Sequence, residues 1–219
     1  MQKLPLFPLH TVLFPGMPIH LNIFEERYRL MLQQCIRNNL PFGVTLIKQG
    51  SEALGPLAAP YLVGCTARIL HLEPLADGRI NLSAIGDERF RIHSLDDSNP
   101  YLVGNVEFME FINTGRADLS GYVEHLKPWV QHYLSLLTRL EDSFMDLSKI
   151  KIPSDPIRMV YIAASLLHIP PIEKQAIITI TSIHELFDHM QRIYRRETAV
   201  LKYQLRYTNR DANRVAVHN

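Results

Sequence analysis

The 219-residue sequence contains few of the residues that mark specialised scaffolds. Its two cysteines, Cys35 and Cys65, exclude a disulfide-rich scaffold and a four-cysteine zinc site, and we expect reduced thiols. The net charge of +1 gives no overall field that would favour nucleic acid or a membrane surface. No apolar run reaches the roughly 18 residues that a membrane-spanning helix needs. Hydrophobic residues at 47% and charged residues at 21% instead indicate a globular protein with a substantial core.

The chain opens with LPLFPLHTVLFPGMPIH, in which prolines repeatedly interrupt apolar residues. A secretory signal needs a basic start and an uninterrupted apolar stretch, so we expect a cytoplasmic protein instead. A polyproline-type ligand is disfavoured because the residues between the prolines are apolar. Proline cannot donate to a strand ladder, so Pro5, Pro8 and Pro15 are predicted at strand starts, edges or bends. The expected core-facing residues beside them are Leu6, Leu9, Val12 and Phe14.

The first part of the chain, residues 1–115, is predicted to be rich in strands. Its short apolar runs are separated by turn signals, and Asp77-Gly78 is typical of a hairpin in which both central residues have positive φ. The predicted strands cover residues 44–47, 62–72, 79–85, 89–93 and 103–111, and one helix covers about 25–38. Short strands interrupted by one helix favour a small, partly closed β-barrel.

The second part, residues 116–207, is predicted to be a bundle of helices, which makes the chain an α+β protein. An apolar repeat predicts helix over 119–147, with Pro128 marking a kink or a break. Further helices are predicted at 155–167, opened by Asp155 and Pro156, at 172–178, and from a capping box at Ser182–Glu185 to about Tyr207. Residues 208–219 are polar and are expected to form a flexible tail.

The last predicted helix has one apolar face and one basic face. The apolar face is expected to pack in the core, with Glu197 beside it pairing to a cation or a backbone donor. The basic face is either a solvated surface or an interaction surface for an acidic partner or nucleic acid. Its residues are Arg192, Arg195, Arg196, Lys202 and Arg206.

Motifs for catalysis are not found. In H184-E-L-F-D-H189 the second histidine follows at i+5 rather than at the i+4 spacing of a zinc protease helix. His184 and Asp188 could hold a metal weakly, but surface side chains are the favoured interpretation. A phosphate-binding P-loop, a G-x-S-x-G elbow and a G-x-G-x-x-G fingerprint are all missing from the sequence. We therefore predict no catalytic residue, no metal site and no cofactor.

Four segments, in order, resemble the N-terminal substrate-recognition domain of the ATP-dependent protease Lon. The opening phrase LPLFPLHTVLFPGMPIHLNIFEERY resembles the start of that domain, and Y61-L-V-G-C-T-A-R-I69 resembles one of its strands. G86-D-E-R-F-R-I92 is similar to the family's Gly-x-x-Arg-Phe-x-Ile element, and I172-E-K-Q175 to its helical part. Cys65 is a minor departure, since the family more often has Gly and Thr adjacent there.

The resemblance implies a PUA-like (pseudouridine-synthase-and-archaeosine-transglycosylase-like) β-barrel followed by a helical bundle. It further implies a non-catalytic, stand-alone protein or isolated domain, because the Lon ATPase and Ser-Lys peptidase segments are missing from the sequence. The expected partners are unfolded protein segments, together with a protease that the protein would serve as an adaptor or regulator. Binding would use an apolar groove between barrel and bundle and main-chain pairing at a strand edge. The groove residues and the oligomeric state are left open.

Two other functions are weighed against peptide binding. An RNA-binding module would use the PUA-like fold and the basic face of the last helix, although the net charge of +1 weakens this hypothesis. A metal-dependent hydrolase would use His184 and Asp188.

Overall fold

The computed structural model describes residues 1–112, 119–140 and 152–216, and side chains as far as Tyr207. Six strands and five helices follow one another within these residues. The strands are β1 (Gln2–Leu9), β2 (Pro18–Ile23), β3 (Phe42–Gln49), β4 (Ala59–Pro74), β5 (Ile80–Asp96) and β6 (Val103–Phe108). The helices are α1 (Glu26–Asn38), α2 (Ser120–Leu140), α3 (Pro156–Leu166), α4 (Pro171–Thr179) and α5 (Ile183–Ala216).

The strands form one mixed sheet in the order β2-β5-β4-β3-β1-β6, with a further pairing between β5 and β6. Strand β1 is parallel to β3, and the other pairings are antiparallel. A mixed sheet followed by helices confirms the α+β class, whereas the PUA-like small barrel stays a prediction. The sheet encloses a core cluster of Leu4, Leu6, Phe90, Ile92, Leu102 and Val106.

The opening prolines lie in β1 and in the turn after it. Pro5 marks the point where β1 leaves its antiparallel partner β6 and begins to pair with β3. Pro15 and Gly16 form a turn closed by the Met17 N–H, which donates to Phe14 O at 3.0 Å, and Gly16 has φ +79°. Proline followed by a glycine with positive φ is the pattern of a type II turn. The four predicted core residues of this segment are all buried, as expected.

One prediction about β5 is wrong, whereas the predicted hairpin that leads into it is confirmed with a different turn. The segments 79–85 and 89–93 belong to one continuous strand, because Gly86 between them stays in the ladder. A Cβ on Gly86 would stand 2.1 Å from Phe14 O, so only glycine allows the opening segment to pass there. The hairpin turn is longer than predicted: Gly78 N–H donates to Leu75 O, and of Asp77 and Gly78 only Gly78 has positive φ, at +82°.

The chain divides into two compact units, and the first contains Met1–Ile112 together with Ala164–Thr181. Helix α4 therefore packs with the sheet, although the sequence assigns it to the bundle of residues 116–207. The physical reason is a pair of buried side chains, Arg89 and Gln175, which bind the sheet to α4.

The second unit contains α2, most of α3, and α5. Helix α2 packs on α5, where Tyr133 and Tyr194 meet edge to face with centroids 5.3 Å apart. Helix α2 continues through Pro128 without a break, and the predicted part 141–147 lies outside the described residues. The Asp155 carboxylate caps α3 through Arg158 N–H, as predicted, and Ser182 Oγ accepts the Glu185 N–H at the start of α5.

The end of α5 differs from the sequence-based prediction. The helix runs to Ala216, beyond the predicted end at about Tyr207 and into the predicted flexible tail. None of the helices in the described ranges has the length and apolarity needed to cross a bilayer.

Candidate peptide-binding cleft

Arg89 is the side chain that positions α4 on the sheet. It lies in β5, is only 3% exposed, and its Nη1 donates to Ile178 O at 3.1 Å and also to Ile180 O. These carbonyls belong to the last turn of α4 and its cap, where carbonyls lack helical partners and carry the negative end of the helix dipole. The guanidinium also lies 4.2 Å from the centroid of the Phe111 ring. A buried cation thus fixes the C-terminal end of α4.

Gln175 makes the second link between α4 and the sheet. Its side chain is buried, and Nε2 donates to Val63 O of β4 at 2.9 Å. Lys174, next to it, donates to Ser165 O at 3.2 Å, and burial lowers the pKa of its ammonium group. Helix α4 itself starts at Pro171, whose fixed φ suits the first turn of a helix. The Gln175 contact joins α4 to β4, and the Lys174 contact joins it to α3.

Beside this joint lies an open cleft of about 870 Å³, which we call the β4–α4 cleft. Two apolar side chains in its wall are more than half exposed: Leu62 at 56% on β4 and Ile172 at 53% on α4. The full lining is Lys48, Ala59, Pro60, Tyr61, Leu62, Val63, Arg91, Ile172, Gln175, Ala176 and Thr179. Exposed aliphatic side chains grouped in a concave surface mark a site for apolar contact.

The cleft lies where β4 and β5 separate. Along β5 the pairing with β4 ends at Arg91, opposite Val63, while the pairing of β5 with β6 starts at Phe90 and continues. Residues Ala59 and Pro60 pair with β3, and within the described sheet the other side of this β4 segment has no strand beside it. The cleft therefore combines an apolar wall with a short stretch of strand edge, which is the arrangement that accepts an added strand.

The predicted basic surface lies on α5, in the second unit. Its five residues, Arg192, Arg195, Arg196, Lys202 and Arg206, are all exposed. The Arg195 guanidinium lies 5.4 Å from the Trp129 ring, and Arg196 pairs with Glu197 at 2.7 Å, which agrees with the pairing expected for Glu197. The structure thus places the five cations along one helix, and their role as an interaction surface stays a prediction.

The weaker chemical candidates do not assemble into a site. His184 lies edge-on to the Tyr122 ring, and no cluster of three metal-ligating side chains occurs within the described ranges. Burial raises the pKa of the Cys35 thiol to about 11 and that of Cys65 still further, so both thiols stay protonated at neutral pH. Neither cysteine has the exposed, electropositive surroundings of a reactive thiol.

Sequence reasoning missed the residues of the β4–α4 cleft. One signal was present: Leu62 and Val63 are consecutive apolar residues in a strand. Successive side chains of a strand point to opposite faces of the sheet, so these two cannot both be buried on the same face. Val63 is 5% exposed, whereas Leu62 is 56% exposed. No comparable signal existed for Ile172, because helical residues of a core and of a groove wall follow the same pattern.

Comparison with known proteins assigns the family. Residues 3–195 match the profile of the substrate-binding domain of ATP-dependent protease La (Lon), so the chain belongs to this family. It is 24% identical over 200 residues to Lon protease 1 of Hydrogenovibrio crunogenus and 21% identical over 220 residues to Lon protease of Escherichia coli. These matches cover 91% and 95% of this chain but only 24% and 26% of the relatives. The chain thus spans about a quarter of their length.

Solved structures agree with this assignment. A Lon N-terminal domain protein from Xanthomonas campestris superposes with a TM-score of 0.62 at 27% identity, covering 87% of this chain and 97% of its own. The N-terminal domain of Lon protease from Mycobacterium avium complex superposes with a TM-score of 0.63 at 15% identity, covering 90% and 98%. The matched family model is the substrate-binding domain, and it includes no ATPase or peptidase domain.

Proposed function

We propose that this protein binds extended apolar segments of other protein chains in the β4–α4 cleft. The observation that carries the proposal is the exposure of Leu62 and Ile172, which face a cleft beside a free stretch of strand edge. An entering segment would cover these two side chains and add main-chain hydrogen bonds at Ala59–Leu62. Membership in a family of substrate-binding domains supports the same role.

The lining chemistry favours binding without catalysis. The cleft contains two cations, one phenol, one amide and one hydroxyl, and its lining includes no histidine, cysteine or carboxylate. The Thr179 hydroxyl donates to Gln175 O at 2.7 Å and makes no contact with a base, so a nucleophile with an adjacent base is not in place among these groups. Gln175 already uses its amide N–H to hold Val63 O. We therefore propose a non-catalytic binding protein that presents segments to a protease or regulates one, since the relatives it matches are Lon proteases.

The test compares two aspartate variants of the same strand. Leu62→Asp places a charge in the cleft, and Leu70→Asp is its matched control because Leu70 lies on β4, is 55% exposed and does not line the cleft. Binding of a fluorescein-labelled apolar peptide and of a chemically denatured globular protein is followed by anisotropy. We expect Leu62→Asp to weaken binding about tenfold or more, since it removes part of a leucine contact and desolvates a charge.

Two results would contradict the proposal. Equal affinity of both variants and the wild type would show that the segment binds elsewhere. A similar loss in both variants would show a general effect on the sheet, which thermal unfolding of each variant measures independently.

RNA binding by α5 is a second candidate function. It is favoured by the five exposed cations, of which Arg196 is paired with Glu197. It predicts an affinity that falls steeply with salt and that is lost in Arg192→Glu/Arg195→Glu. The cleft proposal predicts that this double variant binds apolar peptides as the wild type does.

A further inference from the structure

The β4–α4 cleft is lined by positive charges as well as by apolar side chains. Lys48 and Arg91 line it, and no carboxylate does. Both side chains are exposed, and within the described part of the chain neither makes an ion pair or a side-chain hydrogen bond. Four other arginines of the first unit, Arg27, Arg29, Arg68 and Arg79, do have a carboxylate partner, as Arg79 has in Asp77 at 2.7 Å.

The two cations lie on opposite sides of the exposed strand edge. Lys48 is in β3, between the residues that pair with Pro60 and with Ala59, and Arg91 is in β5 opposite Val63. Strand β4 runs between them. Two strand spacings and a stagger of about three residues put their Cα atoms roughly 14 Å apart, which is about the length of four residues of extended chain.

The nearest carboxylate on the neighbouring strand is already engaged. Glu107 of β6 lies opposite Arg91 in the register, but its Oε2 contacts His93 Nε2 at 2.9 Å. Glu107 therefore does not form an ion pair with Arg91. The cleft is left with two positive charges above an apolar wall.

From this arrangement we infer that the preferred ligand is an extended apolar segment of a protein chain with a carboxylate on each side of its apolar stretch. The apolar side chains would cover Leu62 and Ile172, and the two carboxylates would meet Lys48 and Arg91. The inference rests on the proposed function, because it specifies the class of segment that the same cleft takes. Charges at the rim of an apolar site select among ligands that the apolar contact alone would accept equally.

The test uses three peptides of equal length with the same apolar stretch. One has aspartate on each side of it, one asparagine and one lysine. At low salt we expect the wild type to bind the aspartate peptide about tenfold tighter than the asparagine peptide, since two partly exposed ion pairs together give roughly this factor. The lysine peptide binds weakest, and added salt reduces the differences.

Matched variants identify the groups responsible. Lys48→Gln/Arg91→Gln removes the two cleft charges, whereas Lys3→Gln/Arg68→Gln removes two exposed charges of the same unit outside the cleft. We expect the first variant to bind all three peptides with the affinity of the asparagine peptide, and the second to keep the wild-type preference. Equal loss of preference in both variants would overturn the inference, because it would assign the effect to net charge.

The outcomes separate this inference from the proposed function. If all three peptides bind the wild type equally and Leu62→Asp abolishes binding, the cleft binds apolar segments and the inference about carboxylates is wrong. If none of the peptides binds, the proposed function itself fails. If the aspartate peptide binds tightest but is insensitive to Leu62→Asp, its site lies outside the cleft and both statements are contradicted.

Discussion

Replacing Arg89 with methionine should destabilise the protein strongly, although Arg89 does not itself line the cleft. The side chain is 3% exposed, and its Nη1 donates to Ile178 O and Ile180 O. Methionine fills much of the same volume but leaves both carbonyls without this donor. A buried group that loses its partner costs about 1–3 kcal/mol, so two such groups give a loss of about 3 kcal/mol in the free energy of unfolding.

The assay is urea unfolding followed by circular dichroism, with Arg91→Met as the control. Arg91 lies two residues further along β5 and is exposed, so its replacement should change the free energy of unfolding by no more than about 0.5 kcal/mol. Hydrogen exchange adds a local readout: the amides of α4 after Pro171 should lose protection in Arg89→Met. If the free energy of unfolding lost in Arg89→Met is within about 1 kcal/mol of that lost in Arg91→Met, Arg89 does not fix α4 on the sheet.

Two further predictions concern Gly86 and the thiols. Gly86→Ala should lower the melting temperature sharply, because the new Cβ would stand 2.1 Å from the main-chain oxygen of Phe14. Gly121→Ala is the control, because a Cβ there meets no atom within 4 Å, and it should not lower the melting temperature. Thermal scans compare the two variants. Burial raises the pKa of the Cys35 thiol to about 11, so the unfolded state, with a thiol pKa of roughly 8.5, loses its proton first. The contribution of Cys35 to the free energy of unfolding should therefore be constant below about pH 8.5 and fall as the pH rises towards 11. Cys35→Ala should make that fall smaller in urea titrations, and an identical fall would contradict the assignment.

The sequence predicted the elements of the fold better than their partners. The core-facing residues predicted in the opening segment are buried, and the capping residue Asp155 located the start of α3. These features depend on neighbouring residues only. The position of α4 depends instead on Arg89 and Gln175, whose partners are distant in sequence, and an arginine within a strand pattern reads equally well as a surface residue.

The cleft could not be predicted for a related reason. Leu62 is exposed because the pairing of β4 with β5 stops at Val63, so within the described sheet no strand lies on that side of the β4 segment before it. Lys48 and Arg91 come together only through the strand order of the sheet. The basic face of α5, by contrast, follows from helical spacing alone, which is why sequence reasoning located its residues and not those of the cleft.

Mapping a bound peptide on the protein tests the central claim most directly. Amide chemical shifts of the isotope-labelled protein are recorded while an unlabelled apolar peptide is titrated in. We expect shifts concentrated in the non-proline residues of 59–63 and 172–179 and at Lys48 and Arg91, with the same saturation curve for all of them. Shifts concentrated on α5 around Arg192–Arg206, or an unchanged spectrum at saturating peptide, would contradict the claim that the β4–α4 cleft is the binding site.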